Sequence, residues 1–293
     1  MKIIIKSLSK MYGNKQALNS IDLTIQDEMF GLLGQNGAGK TTLMRIMTTL
    51  LMQDSGEVWF DDIPIKDKKE IRKIVGYLPQ EFSLYPNFTV YEAMDYLALL
   101  SSVKESMVRK RLIFELSEKV NLTDALQKKV KELSGGMKRR LGIAQALIND
   151  PKVLIVDEPT AGLDPEERIR FRNMLSEFSV GRNVIFSTHI VSDIEYSCKN
   201  LAILKTGQIL YQGSTQDLLK QAEGCVWNVL MNKKEWDNNP EAAGVDATTI
   251  QSIQQEGELV RLRVIAANRP TPTATLGEVN MEDAYMYMVR GKC

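Results

Sequence analysis

The sequence has no long run of apolar residues. No uninterrupted run exceeds six residues, which is the length of Met29–Gly34 even when both glycines are counted, whereas a membrane-spanning helix needs about 20. The opening stretch MKIIIKSLSK has only three consecutive isoleucines, which is too short for the apolar core of a signal peptide. These features predict neither a transmembrane helix nor a signal peptide.

Neither sign of charge is in excess, and cysteine is scarce. The 293 residues include 37 Lys and Arg and 37 Asp and Glu, so the formal net charge is zero. This balance argues against a nucleic-acid-binding protein, which would need a basic surplus to hold phosphates. The three cysteines, Cys198, Cys225 and Cys293, have the spacing of neither a metal site nor a disulfide framework, and we expect a reducing compartment.

Apolar periodicity predicts an α/β fold over residues 1–223. A helix is expected at Lys40–Leu50, another begins at Pro165, and an inserted helical subdomain occupies about residues 81–150, with a wholly helical pattern from Thr89 to Val120. Strands are expected at Lys2–Lys6, Ile21–Ile25, Phe30–Leu33, Val58–Phe60, Ile74–Tyr77, Val153–Val156 and Val184–Phe186.

The character of the sequence changes near residue 224. Residues 238–257 are polar and rich in turn formers, after which Val260, Leu262 and Val264 alternate with two arginines as in a half-buried strand. Asn280 followed by Asp283 can begin a last helix. Residues 224–293 are therefore predicted to form a small α+β appendage.

One glycine-rich segment matches the phosphate-binding pattern G-x-x-x-x-G-K-S/T between an apolar strand and a helical segment. Its glycines let backbone N–H groups surround an anion, a lysine adds charge for the β- and γ-phosphates, and a hydroxyl faces Mg²⁺. The sequence therefore predicts a site for a nucleoside triphosphate. The residues expected to form it are Gly34, Gln35, Asn36, Gly37, Ala38, Gly39, Lys40, Thr41 and Thr42.

Two carboxylates follow the predicted strand Val153–Val156. Ligands bind beyond the carboxyl ends of parallel strands, so Asp157 and Glu158 are expected beside the phosphates. Asp157 is predicted to act on the metal with Thr41, and Glu158 to act as general base for the attacking water. A solvated acidic pair that caps the strand is the alternative, and the phosphate loop favours the catalytic interpretation.

The segment Leu133–Arg140 reads LSGGMKRR and closely resembles the signature motif of ATP-binding cassette (ABC) ATPases. A Ser-Gly-Gly helix start is a second anion site. In the resembled family it contacts the ATP of a partner subunit, and this role is carried here to Ser134, Gly135 and Gly136. Met137 stands where glutamine is most common, on a part of the helix that does not supply the donors.

Four further residues match motifs of the same family in the expected order. Tyr12 is similar to the aromatic residue that stacks on adenine, although alone it would more often be a packing residue. Gln80 resembles the glutamine that senses Mg²⁺ and the attacking water. Asp164 lies in AGLD, which resembles the loop that crosses the dimer interface. His189, the only histidine, resembles the switch histidine that contacts the γ-phosphate.

The resemblance implies a P-loop NTPase core with a mostly parallel sheet, an antiparallel β subdomain and the inserted helical subdomain. It further implies hydrolysis of ATP with Mg²⁺ by two paired cassettes, either identical or similar. Separate permease subunits in the membrane would be driven by this cycle, with the chain peripheral on the cytoplasmic face.

Residues 80–100 are where the family docks its permease. Their aromatic side chains are explained equally well as the subdomain's own core.

The segment Asn280–Met288 resembles the acidic-aromatic tail of bacterial drug, antibiotic and lipid exporter ATPases, which favours export.

Other classes of nucleotide-binding protein fit the sequence less well. Lys40 and Asp157 are only 117 residues apart, too close for the coiled-coil insertion of chromosome-maintenance ATPases. One cassette argues against a two-cassette translation factor, and the nearest string to a guanine motif, Asn232–Glu235, ends in the wrong acid. A purely regulatory binding module is the remaining alternative.

Overall fold

The computed structural model describes residues 1–26, 29–238 and 249–291. Contacts divide the chain into two compact units, Met1–Gln212 and Gly213–Cys293. No helix among the described residues combines the length and the apolar character needed to span a membrane.

The first unit alternates strands and helices. In chain order its elements are β1 (Ile3–Tyr12), β2 (Lys15–Ile25), β3 (Met29–Leu33), α1 (Lys40–Met47), β4 (Ser55–Phe60), β5 (Ile63–Pro64), α2 (Lys68–Ile74), β6 (Val75–Leu78), α3 (Val90–Leu100), α4 (Ser106–Lys119), α5 (Gly135–Ala146), β7 (Val153–Asp157), α6 (Pro165–Phe178), β8 (Asn183–Thr188), α7 (Val191–Ser197), β9 (Asn200–Lys205) and β10 (Gln208–Ser214), the last of which runs into the second unit.

A six-stranded sheet in the order β10-β9-β3-β8-β7-β6 forms the centre of this unit. The pairs among β9, β3, β8, β7 and β6 are parallel, and β3, β7 and β8 are buried along their whole length. Strands covered on both faces need continuous apolar runs. Because such runs are visible in the sequence, they located the central strands correctly. Their carboxyl ends bring the segments after β3, β6, β7 and β8 to one edge.

A second sheet, β2-β1-β4-β5, is antiparallel. The strands predicted at Lys2–Lys6 and Ile21–Ile25 are both longer in the structure. Strand β1 continues to Tyr12, and strand β2 already begins at Lys15. Register shifts interrupt the β1–β2 pairing after Ile5, and Ser7 and Ser20 have left-handed φ values of 47° and 49°. These irregularities break the period-2 alternation that sequence reasoning relies on.

Helices occupy the region predicted to form the helical subdomain. Helices α3, α4 and α5 lie here, and two short 3₁₀ turns, Thr123–Ala125 and Val130–Glu132, occur between α4 and α5. The predicted helical pattern from Thr89 to Val120 is confirmed by α3 and α4. Thr89 begins α3 with a capping box, in which its hydroxyl accepts from Glu92 N at 3.1 Å and Glu92 Oε2 accepts from Thr89 N at 2.7 Å.

Two boundaries near the first unit's core differ from prediction. Helix α1 ends at Met47 instead of Leu50, because the Thr48 hydroxyl bonds back to the Met44 carbonyl at 2.9 Å and Thr49 adopts a φ of 60°. Ile74, expected to start a strand, is the last residue of α2, and the strand begins at Val75.

The second unit is a small α+β body. Its elements are α8 (Thr215–Ala222), β11 (Val226–Asn232), α9 (Lys233–Asn238), β12 (Ile250–Glu256), β13 (Leu259–Ile265), β14 (Thr275–Leu276) and α10 (Met281–Arg290). The antiparallel order is β12-β13-β11-β14, and α8 packs against α10. Contacts thus place α8 in this unit, whereas sequence analysis drew the boundary after it. Strand β12 lies where a polar, turn-rich segment was expected.

Candidate nucleotide-binding site

A cleft of about 270 Å³ opens at the carboxyl edge of the central sheet. It brings together the phosphate loop, the start of α1, the turn between β1 and β2, and the segments that follow β6 and β7. Its lining residues are Tyr12, Lys15, Ala17, Gln35, Asn36, Gly37, Gly39, Lys40, Thr41, Thr42, Gln80 and Glu158.

The phosphate loop owes its shape to glycine at specific positions. Gly39, the residue before α1, has a φ of 112°, and a Cβ atom there would lie 2.6 Å from the Ala17 carbonyl oxygen. At Gly34 a Cβ atom would approach the Leu204 carbonyl oxygen to 2.4 Å. Side chains at these positions would force the loop away from its neighbours. The start of α1, whose first N–H groups have no partner within the helix, lines the cleft, and an anion is favoured at such a helix start.

Lys40 is almost completely buried and lies across the loop. Its ammonium donates to the carbonyl oxygens of Gly34 at 2.5 Å and Gln35 at 3.2 Å. It also lies 3.0 Å from Oε1 of Glu158, as an ion pair and not as a hydrogen bond. The lysine charge is therefore compensated by Glu158 where the phosphates of a nucleotide would lie.

Glu158 joins Lys40 to His189. Its other carboxylate oxygen, Oε2, is 2.6 Å from Nδ1 of His189, and since a carboxylate only accepts, the imidazole N–H is the donor. Glu158 has a left-handed φ of 48°, and its backbone N–H donates to Ser187 Oγ at 3.0 Å. The structure thus brings three predicted site residues, Lys40, Glu158 and His189, into contact.

Asp157 is fully buried beside this pair. Ser187 Oγ donates to its Oδ1 at 2.6 Å, while Oδ2 is buried without a hydrogen-bond partner. Nearby Tyr77 has its pKa raised to about 12, chiefly because its hydroxyl is buried and also because Asp157 is negative. An unpartnered buried carboxylate oxygen is costly. Thr41 and Gln80, the other two residues expected at the metal, line the cleft, and carboxylate, hydroxyl and amide oxygens are the kinds of donor that Mg²⁺ prefers.

Gln80 follows β6 and is held from the helical region. Arg139, on α5, donates to the carbonyl oxygens of Gln80 at 2.5 Å and Pro79 at 3.4 Å. Burial lowers the pKa of Arg139 from its usual value, and the negative charges of Asp157 and Glu81 act in the opposite direction. The helix that carries the Ser-Gly-Gly segment is therefore hydrogen-bonded directly to the loop that carries Gln80.

The Ser-Gly-Gly segment begins α5, as predicted. Ser134 is its N-cap and accepts from Met137 N at 3.2 Å, while Gly136 packs so closely that a Cβ atom would lie 2.6 Å from Glu167 Oε2. Asp164 similarly caps α6 by accepting from Glu167 N at 2.9 Å. Ser134, Gly135, Gly136 and Asp164 are not among the described residues that line the cleft of their own chain.

Most of the residues that line the cleft were predicted from the sequence, but several were not. Tyr12 lines it with 47 % of its surface exposed, whereas Gly34 and Ala38 shape the loop from behind. Lys15 and Ala17 were missed, although Lys15 pairs with Tyr12 across the β1–β2 hairpin. Ser187 was missed as well, because only the parallel register of β7 and β8 places it opposite Asp157.

Comparison with known proteins identifies this architecture. The family model described as ABC transporter matches residues 18–161. The ABC transporter ATP-binding protein YxlF of Bacillus subtilis is 36% identical over 231 residues, covering 78% of this chain and 77% of the relative. A Nod factor export ATP-binding protein I of Burkholderia lata is 36% identical over 230 residues, 76% of this chain and 74% of the relative.

Further relatives agree in sequence and in structure. The linearmycin resistance ATP-binding protein LnrL of Bacillus subtilis is 33% identical over 222 residues, covering 75% of this chain and 71% of the relative. A dimeric ATP-binding cassette, MJ0796, solved in a post-hydrolysis state with ADP and Pi, superposes with a TM-score of 0.66 at 25% identity, covering 72% of this chain and 98% of that one. The chain belongs to the ATP-binding proteins of ABC transporters and is an ATP-binding ATPase.

Proposed function

We propose that the chain energises export through separate transmembrane permease subunits, by closing onto a second cassette when ATP binds. The observation that carries this proposal is the division of the predicted site. The phosphate loop and Glu158 line one cleft, and His189 contacts Glu158, while Ser134 and Asp164 cap helices that do not line it. A second copy, related by a two-fold axis, would supply those two helix starts.

The ion pair of Lys40 with Glu158 suggests how ATP binding prepares hydrolysis. A phosphate bound at the loop competes for the Lys40 ammonium, since the two carboxylate oxygens of Glu158 otherwise face Lys40 and His189. Release of Lys40 leaves Oε1 free to accept a proton from water. His189 keeps Oε2 in place and would reach the γ-phosphate. Positioned proton transfer of this kind is worth about 10²–10⁴-fold in rate.

Mg²⁺ fits the residues beside the phosphates. Thr41 and Gln80 would hold it, with Asp157 in its outer coordination shell, and the unpartnered Oδ2 of Asp157 supports this assignment. The ion supplies charge neutralisation of the phosphate oxygens when it is bound. Ser187 fixes the Asp157 carboxylate by donating to Oδ1, and Lys40 and Thr42 bind and orient the phosphates. Tyr12 would stack on the adenine.

The permease is proposed to dock on the helical region. A groove of about 550 Å³ lies there, and its lining includes Leu84, Tyr85, Tyr96 and Leu100. Tyr85 and Leu100 are 54% and 63% exposed, and exposed apolar clusters mark interaction sites. Tyr85 and Tyr96 also pack edge to face at 5.7 Å, so part of this cluster serves the region's own packing. This surface would hold the chain at the cytoplasmic face of the membrane.

Export is favoured by the curated relatives, which include proteins named for Nod factor export and linearmycin resistance. The acidic-aromatic segment in α10 supports the same direction. No nucleic-acid partner is proposed, because the net charge is zero.

The proposal is tested by light scattering and by ATP turnover on the full chain. We expect Glu158→Gln to lower kcat at least about 100-fold and to form a dimer with ATP. Ser134→Arg should prevent both dimer formation and turnover. A Glu158→Gln variant with parental turnover, or a Ser134→Arg monomer with full activity, would refute the proposal. Vesicles reconstituted with the genetically neighbouring permease would then establish the direction of transport.

A further inference from the structure

Another buried carboxylate, besides those of Asp157 and Glu158, lies close to the catalytic cleft. Asp193, in the first turn of α7, has no exposed surface. Its Oδ2 accepts from Thr160 Oγ1 at 2.6 Å and, more weakly, from Thr188 Oγ1 at 3.4 Å. Its Oδ1 lies 3.2 Å from Nη1 of Arg172 on α6. This carboxylate is therefore shared by three side chains from three different segments.

The two threonines belong to the segments that carry Glu158 and His189. Thr160 follows Glu158 by two residues, just after the left-handed turn at Glu158, and is 1% exposed. Thr188 directly precedes His189 and is fully buried, and its hydroxyl accepts from Ile190 N at 2.9 Å. Asp193 therefore bonds to both of the loops whose side chains meet at the 2.6 Å Glu158–His189 contact.

Arg172 stabilises the buried carboxylate of Asp193. A buried carboxylate is strongly disfavoured unless it is paired and hydrogen-bonded, and Arg172 supplies the counter-charge from α6. The guanidinium is itself held over the ring of Tyr196, 5.1 Å from its centroid. With both oxygens engaged, Asp193 has one orientation and fixes the threonines relative to each other.

We propose that Asp193 is a positioning residue for ATP hydrolysis, which sets the Glu158–His189 geometry through Thr160 and Thr188. The inference rests on the catalytic roles proposed above for Glu158 and His189. Catalytic groups must be held to within about 0.5 Å by partners that are themselves fixed, and a misplacement of about 1 Å can cost about 100-fold in rate. Asp193 supplies that support from behind the cleft without touching the nucleotide.

Thr160→Val tests the connection with the least disturbance. Valine keeps the shape of threonine and removes only the hydroxyl that Asp193 accepts from, whereas Thr160→Ser keeps the hydroxyl and is the matched variant. We expect Thr160→Val to lower kcat about tenfold while the KM for ATP stays within about twofold, because the phosphate loop is unchanged. Thr160→Ser should restore most of the lost rate.

His189 is the single histidine of the chain, and its tautomer can be measured. A purely structural role of Asp193 would leave that tautomer unchanged. In full-length protein without nucleotide, ¹⁵N NMR reports which nitrogen of the His189 ring carries the proton. The parent should show the Nδ1–H form that donates to Glu158, and Thr160→Val should shift the population towards Nε2–H. Thr160→Ser should show the parental form. This arm needs no turnover, so it distinguishes failure of the positioning role from failure of the proposed catalytic roles.

Three results would overturn the inference. The first is a Thr160→Val protein with parental kcat and parental tautomer. The second is equal loss of rate in Thr160→Ser, which retains the hydroxyl. The third is loss of rate together with a lowered melting temperature but an unchanged tautomer, which would make Asp193 a purely structural residue.

Discussion

The Nζ atom of Lys40 lies 3.0 Å from Oε1 of Glu158, and the two side chains are only 5% and 4% exposed. The cation expected to bind phosphate and the carboxylate expected to activate water therefore neutralise each other in the interior. Charges so deeply buried are stable only as a pair. Any anion that binds the Lys40 ammonium must therefore compete with the carboxylate of Glu158.

This competition predicts that Glu158→Gln binds ADP more tightly than the parent does. The substitution keeps the size of the side chain and removes the negative charge that holds Lys40, so phosphate oxygens meet a less compensated ammonium. ADP is the appropriate probe because hydrolysis cannot affect its binding. We expect a gain of about tenfold by isothermal titration calorimetry, comparable with one charged hydrogen bond.

The matched control for this measurement is Glu166→Gln. It makes the same charge change on an exposed residue of α6 that pairs with Arg170, and its ADP affinity should stay parental. Unchanged or weaker ADP binding by Glu158→Gln would show that the ion pair does not oppose phosphate.

Arg139→Met should loosen the loop that carries Gln80. Methionine retains much of the apolar length of arginine but cannot donate to the carbonyl oxygens of Gln80 and Pro79. Loss of a charged donor is worth about 1.5–3 kcal/mol, so amide hydrogen exchange in peptides covering residues 80–88 should accelerate at least about tenfold. Lys138→Met, on an exposed neighbour, is the control, and equal acceleration in both variants would exclude a specific role for Arg139.

Arg263→Met should destabilise the second unit. Arg263 pairs with Asp283 at 2.5 Å, and the Asp283 side chain is only 2% exposed, so the substitution leaves a buried carboxylate without its counter-charge. Breaking such a pair costs about 3 kcal/mol. Denaturant unfolding followed by tryptophan fluorescence can measure this loss, because two of the three tryptophans, Trp227 and Trp236, lie in this unit.

Arg261→Met provides the comparison on the same strand. Arg261 pairs with Glu256 at the surface, where an ion pair contributes little. Its unfolding midpoint should stay near that of the parent. Similar midpoints for the Arg261 and Arg263 variants would contradict the burial argument.

Tyr77 predicts a loss of stability at alkaline pH. Its pKa is raised to about 12 in the folded chain, whereas an unfolded tyrosine ionises near pH 10. Its contribution is therefore complete below about pH 10 and is lost as the pH rises towards 12, because only the unfolded state releases the proton in that window. Unfolding of the parent and Tyr77→Phe, compared at about pH 9 and about pH 11, should show a smaller alkaline loss for the variant. Parallel losses would mean that another group is responsible.

Local signals in the sequence were sufficient where a feature depends on residues close in the chain. The phosphate loop, the continuous apolar strand before Asp157 and the helix start at Ser134 all occur as predicted. The predicted start of the last helix is also confirmed, since Asn280 and Asp283 form a capping box. Each of these features follows from backbone chemistry within a few residues.

The sequence by itself determined the chemical groups of this protein: a glycine-rich loop before a helix, an acidic pair after a buried strand and a second glycine-rich helix start at Ser134. Only the tertiary structure decided which groups act on one another. Asp193 reaches Thr160 from 33 residues away, Arg139 reaches Gln80 from 59, and Arg263 reaches Asp283 from 20. Such partners cannot be predicted from local pattern, because the order of strands in a sheet and the packing of helices upon it bring them together.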